Sequence, residues 1–181
     1  SNIHQCSNST LIRRQRELGL HLTDLVHLPL CHVFGRTTDY HVGALQQGMI
    51  LVFAESFEKI PKNLLEVRPN VIISIPRLWE KIYDTTKSIV SRQNKTTQSI
   101  FNWAMKLGEK YCNAMATATR MGQIDLLQFA LANQLVFNKI KKTAGLDRVV
   151  LGASGGGKLS KDVCVFIRSM GIQLREGYGL T

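Results

Sequence analysis

The apolar positions of the chain change their period several times, and each change marks an element. Leu25-Val26-His27-Leu28-Pro29-Leu30 reads as a short strand stopped by Pro29, because proline cannot donate to a sheet ladder. A loop with Cys31 and His32 follows, then a helical stretch from about Arg36 to Gln47 that closes at Gly48. Met49 to Ala54 is a compact apolar run of the kind that fills a strand buried on both faces. Ile60 to Val67 reads as a helix ending near Pro69, and the β-branched run Val71 to Ile75 as the next buried strand. Strand, helix, strand at this spacing predicts a right-handed parallel crossover, the unit of open α/β sheets.

Pro76 suits the first turn of a long helix in which Trp79, Ile82 and Tyr83 recur at helical spacing. The polar stretch Ser91 to Ser99 predicts a loop, and two amphipathic helices follow it. One is expected to bury Ile100, Trp103, Ala104, Leu107 and Tyr111; the other, Ile124, Leu127, Leu131, Leu135 and Ile140. Gly145 ends the last of these, and Arg148 to Leu151 starts a strand that runs into Gly152-Ala153-Ser154-Gly155-Gly156-Gly157-Lys158. Leu159 to Met170 then reads as a helix with Ser160 as N-cap, closed by Gly171. Ile172-Gln173-Leu174 is a final strand leading into Glu176-Gly177-Tyr178-Gly179-Leu180-Thr181. The fold class expected is α/β: an open, mostly parallel sheet flanked by helices, with a helical insert at about 84–144. Residues 1–24 are a polar lead-in with a short helix over Leu11 to Leu20, and residues 25–181 form the α/β unit.

Composition narrows the class. At 181 residues, 44% of them hydrophobic, the chain can bury one ordinary core. No run approaches the roughly 18 apolar residues of a membrane span, and the first residues lack a signal-peptide pattern. Cys6, Cys31, Cys112 and Cys164 lie far apart with no Cys-x-x-Cys pair, which argues for neither a zinc site nor a disulfide framework. A reducing, cytoplasmic setting is expected. The net charge of +10 raises nucleic acid as a partner. The cations are scattered, however, apart from Arg13, Arg14 and Arg16 and from Lys139, Lys141 and Lys142, without interleaved aromatics, so no nucleic-acid partner is expected.

Candidate chemistry gathers at two strand ends. Three consecutive glycines in Ser154 to Lys158 allow backbone amides to approach a ligand, although a merely tight turn has the same pattern. The spacing fits neither the phosphate-loop nor the dinucleotide fingerprint. In Glu176 to Thr181, Gly177 and Gly179 leave the Tyr178 ring face open for stacking on a flat base, and the Thr181 hydroxyl can meet a phosphate; an ordinary loop would look alike. Both turns open on the carboxyl edge of the sheet, where ligands bind in such folds. His32 suits an acid, a base or a pocket wall, although a lone histidine near apolar neighbours is more often structural. His4, His21, His27 and His41 show no metal spacing, and no Ser, Cys or Lys has an evident base partner.

Four segments in this order resemble the adenylate-forming superfamily of acyl-CoA synthetases, luciferases and peptide-synthetase adenylation domains. They are Leu28-Pro29-Leu30-Cys31-His32-Val33-Phe34-Gly35; Arg68-Pro69-Asn70-Val71 through Ile75-Pro76-Arg77-Leu78-Trp79-Glu80-Lys81; Ser154-Gly155-Gly156-Gly157-Lys158-Leu159-Ser160; and Glu176-Gly177-Tyr178-Gly179-Leu180-Thr181. The last is the most specific, and coverage runs from about Leu25 to Thr181. The Pro-Arg-Leu-Trp-Glu-Lys stretch and the long insert before Leu135-Val136-Phe137-Asn138-Lys139-Ile140 look like the long-chain fatty acid branch.

The resemblance implies a two-step reaction. ATP and a fatty acid give acyl-adenylate and pyrophosphate, with Mg2+ neutralising phosphate charge; the thiol of coenzyme A then displaces AMP. A carrier protein as acyl acceptor, or a non-catalytic nucleotide-binding module, is the alternative. It further implies that Tyr178 stacks on adenine, that the backbone of Gly156, Gly157 and Lys158 with Glu176, Gly177 and Gly179 lines the nucleotide pocket, that Thr181 bonds the α-phosphate, and that His32 lies beside the acyl carboxylate. These residues position and polarise rather than transfer protons. Peripheral association of the parent with a membrane surface is a further expectation.

Two departures stand out: Gly157-Lys158 replaces the usual Ala-Pro, and Arg36 stands where some long-chain members carry a gating tryptophan. No segment from Ser1 to Leu28 resembles the expected phosphate loop, and the chain stops before the expected magnesium-binding glutamate, ribose-binding aspartate and mobile C-terminal domain. The expectation is an internal piece of a longer enzyme, joined in function to the remainder of its parent chain and without ligase activity alone.

Overall fold

A computed structural model describes residues 21–177. Five strands, β1 (Thr23–Val26), β2 (Ile50–Phe53), β3 (Val71–Ser74), β4 (Leu151–Gly155) and β5 (Gln173–Gly177), form one parallel sheet in the order β2-β1-β3-β4-β5. The predicted strand-helix-strand crossover is present, but it passes over β1, which stands between β2 and β3. The chain first steps outward from β1 to β2 and then travels back across the sheet. Right-handed crossovers in opposite directions place their helices on opposite faces.

One face carries α1 (Val33–Gly35), which continues as a wider, π-type helical segment, Arg36–Gln46. Its core is small: Leu22, Met49, Val71 and Ile73, with Phe34 and Leu28 packed against them. The other face carries α2 (Ile60–Val67), α3 (Pro76–Ser91), α4 (Lys95–Ala116), α5 (Gln123–Ala132), a π-type turn at Asn133–Phe137, α6 (Asn138–Thr143) and α7 (Lys161–Ser169). Here lies the main core, built on Trp79, Phe137, Phe166, Ile72 and Leu174, all within 2% of complete burial. Gly145 seals α6 against α2. It has φ +71°, and a Cβ there would stand 2.4 Å from the Leu64 carbonyl, so only glycine lets the two backbones meet.

Several expectations need correction. The first strand is Thr23–Val26, ending before the leucine-proline segment, because Thr23 to Val26 pair with Ile50 to Phe53 and the chain then departs toward α1. β2 is an edge strand, not one buried on both faces: Ile50 is 50% and Phe53 61% exposed. The polar stretch 91–99 is mostly helix, since Asn94 accepts the Thr97 amide at 2.8 Å and starts a new helix there. α4 buries Phe101, Ala104, Leu107 and Gly108 and leaves Ile100 exposed. Its contact with α7 decides that rotation, for a Cβ at Gly108 would lie 2.2 Å from Ser169 Oγ.

The largest correction concerns α5. Ile124, Leu127, Leu131 and Leu135 form an outward stripe, 72, 70, 53 and 50% exposed, while Ala132 and Phe137 are buried. The helix carries two apolar stripes, and the aromatic one wins the interior. Phe129 stacks on Tyr111 with ring centroids 4.5 Å apart, and Phe137 closes behind it at 6.2 Å. At the end of the chain, β4 begins at Leu151 and absorbs Gly152 to Gly155, α7 starts only at Lys161, and β5 extends through Glu176 and Gly177.

Candidate functional site

The carboxyl ends of β1, β3, β4 and β5 meet along one edge. Ser74 pairs with Ser154, Ser154 with Glu176, and Gly155 with Gly177. Beyond Gly155 the chain leaves the sheet at Gly156, whose φ of +76° is open to glycine at little cost. Gly157 passes Pro76 at ordinary van der Waals distance, since a Cβ there would sit 3.5 Å from the proline ring. Gly156, Gly157 and Lys158 are exposed along this rim.

Gly155 joins the histidine segment to the site. A Cβ at that position would lie 2.8 Å from Phe34 Cζ, so the bare backbone lets the phenylalanine ring rest on β4 although β3 stands between their strands. The loop after β1 is thereby drawn over the glycine-rich end. His32 caps α1: its Nδ1 accepts the Phe34 amide at 3.3 Å, which assigns the ring proton to Nε2. The imidazole is exposed and keeps an N–H donor for a ligand.

Glu176 is fastened from the other side. Its Oε1 accepts the Leu159 amide at 2.9 Å, tying the end of β5 to the loop after Lys158, while Ser160 accepts the Val163 amide at 3.3 Å and starts α7. The glycine-rich turn is thus held at both ends with its middle uncovered. Tyr178, Gly179 and Thr181 follow Gly177 directly but lie outside the described residues.

Beneath this rim runs a polar row that sequence reasoning missed. His27 Nδ1–H donates to the Leu25 carbonyl at 3.0 Å, and its Nε2 accepts from Ser74 Oγ at 2.8 Å. Burial holds its pKa below the ordinary 6.5, so the ring is neutral at pH 7. Ser154 is wholly buried, and its hydroxyl finds no partner. The available signal was a serine near the carboxyl end of two apolar strands, in equivalent register. On the α1 face, Asp24 of β1 and Asp39 of the π-type helix are buried together. Burial raises Asp24 well above the ordinary carboxylate range, reinforced by the Asp39 charge, and pushes Asp39 up to about 7. The spacing of the two aspartates hid this pair, which only the packing of that helix on β1 creates.

The site therefore offers backbone amides, an imidazole N–H and an open rim, and among the described residues it holds no linked nucleophile and base. That is equipment for positioning a ligand. A family model described as AMP-binding enzyme matches residues 1–181. The chain belongs to the AMP-binding enzyme family. The long-chain-fatty-acid–CoA ligase ACSBG2 of Rattus norvegicus is 32% identical over 163 residues, covering 88% of this chain and 24% of that protein. The putative fatty-acid–CoA ligase fadD11 of Mycobacterium tuberculosis is 26% identical over 167 residues, covering 91% and 29%. This AMP-binding chain thus spans about a quarter of the length of the curated relatives it matches.

Solved structures agree on the fold. The adenylation domain of a carboxylate reductase from Mycobacterium chelonae superimposes with a TM-score of 0.53 at 18% identity, over 90% of this chain and 21% of that one. The corresponding domain from Segniliparus rugosus, in complex with AMP and a co-purified carboxylic acid, gives 0.51 at 20% identity, over 87% and 20%. The parallel sheet accordingly has the fold of these adenylation domains.

Proposed function

We propose that these residues form one wall of the nucleotide and acyl site of a long-chain fatty acid–CoA ligase. The observation that carries the reading is the meeting of three separated segments, Phe34 beside His32, Gly155 to Lys158, and Glu176-Gly177, on one sheet edge. In this reading ATP and a fatty acid react to acyl-AMP and pyrophosphate, and coenzyme A displaces AMP to give the thioester. The backbone of Gly156 to Lys158 and the end of β5 face the base, Tyr178 stacks on it, and Thr181 bonds the α-phosphate. His32, with its proton on Nε2, donates toward the acyl carboxylate.

Magnesium supplies charge neutralisation at the phosphates when bound, and none of the described residues is assigned to it. The 181-residue polypeptide carries part of the site, so acyl-adenylate formation by it alone is not expected. Titration with AMP by calorimetry tests the reading: saturable binding that Tyr178→Ala abolishes supports it. Binding that persists undiminished in that variant would remove the stacking role. Transfer of the acyl group to coenzyme A rather than to a carrier protein is tested by the coenzyme A dependence of the full-length enzyme.

A further inference from the structure

Between β1 and α1 the chain crosses the carboxyl edge of the sheet, and it is fastened once on each face. On the main-core face the anchor is polar. Side chains alternate along β3, so Ser74 shares the face of Ile72; it is fully buried, and its hydroxyl donates to His27 Nε2 at 2.8 Å. His27 Nδ1–H in turn donates to the Leu25 carbonyl at 3.0 Å, which locks the ring against its own strand. On the α1 face the anchor is apolar: Leu28 and Phe34 pack against the cluster of Val71 and Ile73, and Phe34 rests on Gly155. A Cβ at Gly35 would lie 3.0 Å from Leu28 Cβ and 3.1 Å from the Pro29 carbonyl oxygen, so the two ends of the loop touch. His32 stands between the anchors, its amide donating to the Pro29 carbonyl at 3.0 Å.

The two anchors constrain the loop differently. Apolar contact is non-directional and tolerates sliding, whereas a buried hydrogen bond holds both distance and angle. Ser154, in register with Ser74 on β4, does not share the task, since its buried hydroxyl finds no partner among the described residues. We infer that His27, acting through Ser74, is a positioning residue that sets where the His32 imidazole stands over the glycine-rich end of β4. Its effect on a ligand rests on the proposed reading, in which His32 donates toward the acyl carboxylate. Displacing that donor by about 1 Å stretches a bond of about 2.9 Å out of hydrogen-bonding range. AMP carries no acyl group and does not depend on it.

The test combines histidine nitrogen-15 NMR of the 181-residue chain at pH 8 with calorimetric titration of two ligands. His32 is expected as the Nε2–H tautomer, because its Nδ1 accepts the Phe34 amide. His27→Phe keeps a ring in place but cannot accept from Ser74, and it is expected to return His32 toward the mixed tautomers of a free imidazole. Ser74→Ala should do the same, and the two together should add nothing. His27→Gln, whose amide can accept from Ser74 and donate to the Leu25 carbonyl, is expected to restore the wild-type signal. Amide exchange across β4 and β5 checks that the sheet is intact in each variant. Against an acyl sulfamate analogue of the acyl-adenylate, His27→Phe should lose about tenfold in affinity, while AMP changes by less than about twofold. In a His32→Ala background the same substitution should cost nothing further. An unaltered His32 tautomer in both His27→Phe and Ser74→Ala overturns the inference, and so does an affinity loss that persists once His32 is gone. A tautomer that responds in a chain that binds neither ligand supports the positioning role and removes the nucleotide-edge reading instead.

Discussion

Replacing Asp39 by asparagine should make the protein more stable, and increasingly so as pH rises. Asp24 and Asp39 are 0 and 1% exposed, and no donor reaches either Asp24 oxygen or Asp39 Oδ2. Thr38 Oγ1 donates to Asp39 Oδ1 at 3.3 Å, which does not offset the removal of water from the pair, and the protonated state is favoured. Asp39 rises from 3.8 to about 7 on folding. A rise of about three pH units at about 1.36 kcal/mol each amounts to about 4 kcal/mol of stability. The sign follows from linkage: the contribution is fully present below pH 3.8, declines as the unfolded chain ionises first, and is gone once pH passes about 7.

Asparagine keeps the shape and the hydrogen-bonding capacity but does not titrate. Urea denaturation of both chains at pH 5 and pH 8 gives a difference of differences, in which the opposite trend of His27, whose lowered pKa adds stability as pH rises, cancels. Of the roughly 4 kcal/mol, about 3 is lost between those two values, so the advantage of Asp39→Asn should grow by about 3 kcal/mol. An advantage that is the same at both pH values would refute the account of Asp39 as a carboxyl held protonated by burial, and a variant less stable at pH 8 would reverse it.

Two other outcomes follow from packing. Gly155→Ala forces a methyl group to within 2.8 Å of Phe34, which should cost about 1–3 kcal/mol in a thermal melt and weaken AMP binding more than the same change at Gly122, where the backbone has a negative φ and nothing lies within 4 Å; equal effects at both positions would dismiss the contact. Leu127→Gln with Leu131→Gln should change unfolding free energy by under about 1 kcal/mol, because both side chains are at least half exposed, whereas burial would make each worth about 1.5–3 kcal/mol.

Much of this fold was readable from residue order. The strand at Val71 to Ser74 and the helix over Ile60–Val67 are bounded by breakers and have a single apolar period, so the local signal admits one structure. Ser160 and Asn94 show the limit of the same logic. The first was recognised as a cap because it follows a glycine-rich turn, the second was overlooked inside a polar stretch, and both accept the amide three residues on. The site followed the same division. Gly156, Gly157, Glu176 and His32 stood out by chemistry, but Phe34, His27 and Ser74 matter through partners 121, 47 and 80 positions distant or nearer, which no local pattern can reveal.

By itself the amino-acid sequence determined the α/β class, the parallel crossover and the two glycine-rich strand ends, because periodicity, proline and glycine act within a few bonds of where they stand. Tertiary structure decided the rest. Whether Met49 to Ala54 is an edge or a central strand depends on the strand order, and which of two apolar stripes on α5 turns inward depends on Tyr111 and Phe137 offering a better-packed surface. The burial of Asp24 against Asp39 depends on the helix that covers β1, since a carboxyl group shifts only when another element removes its water.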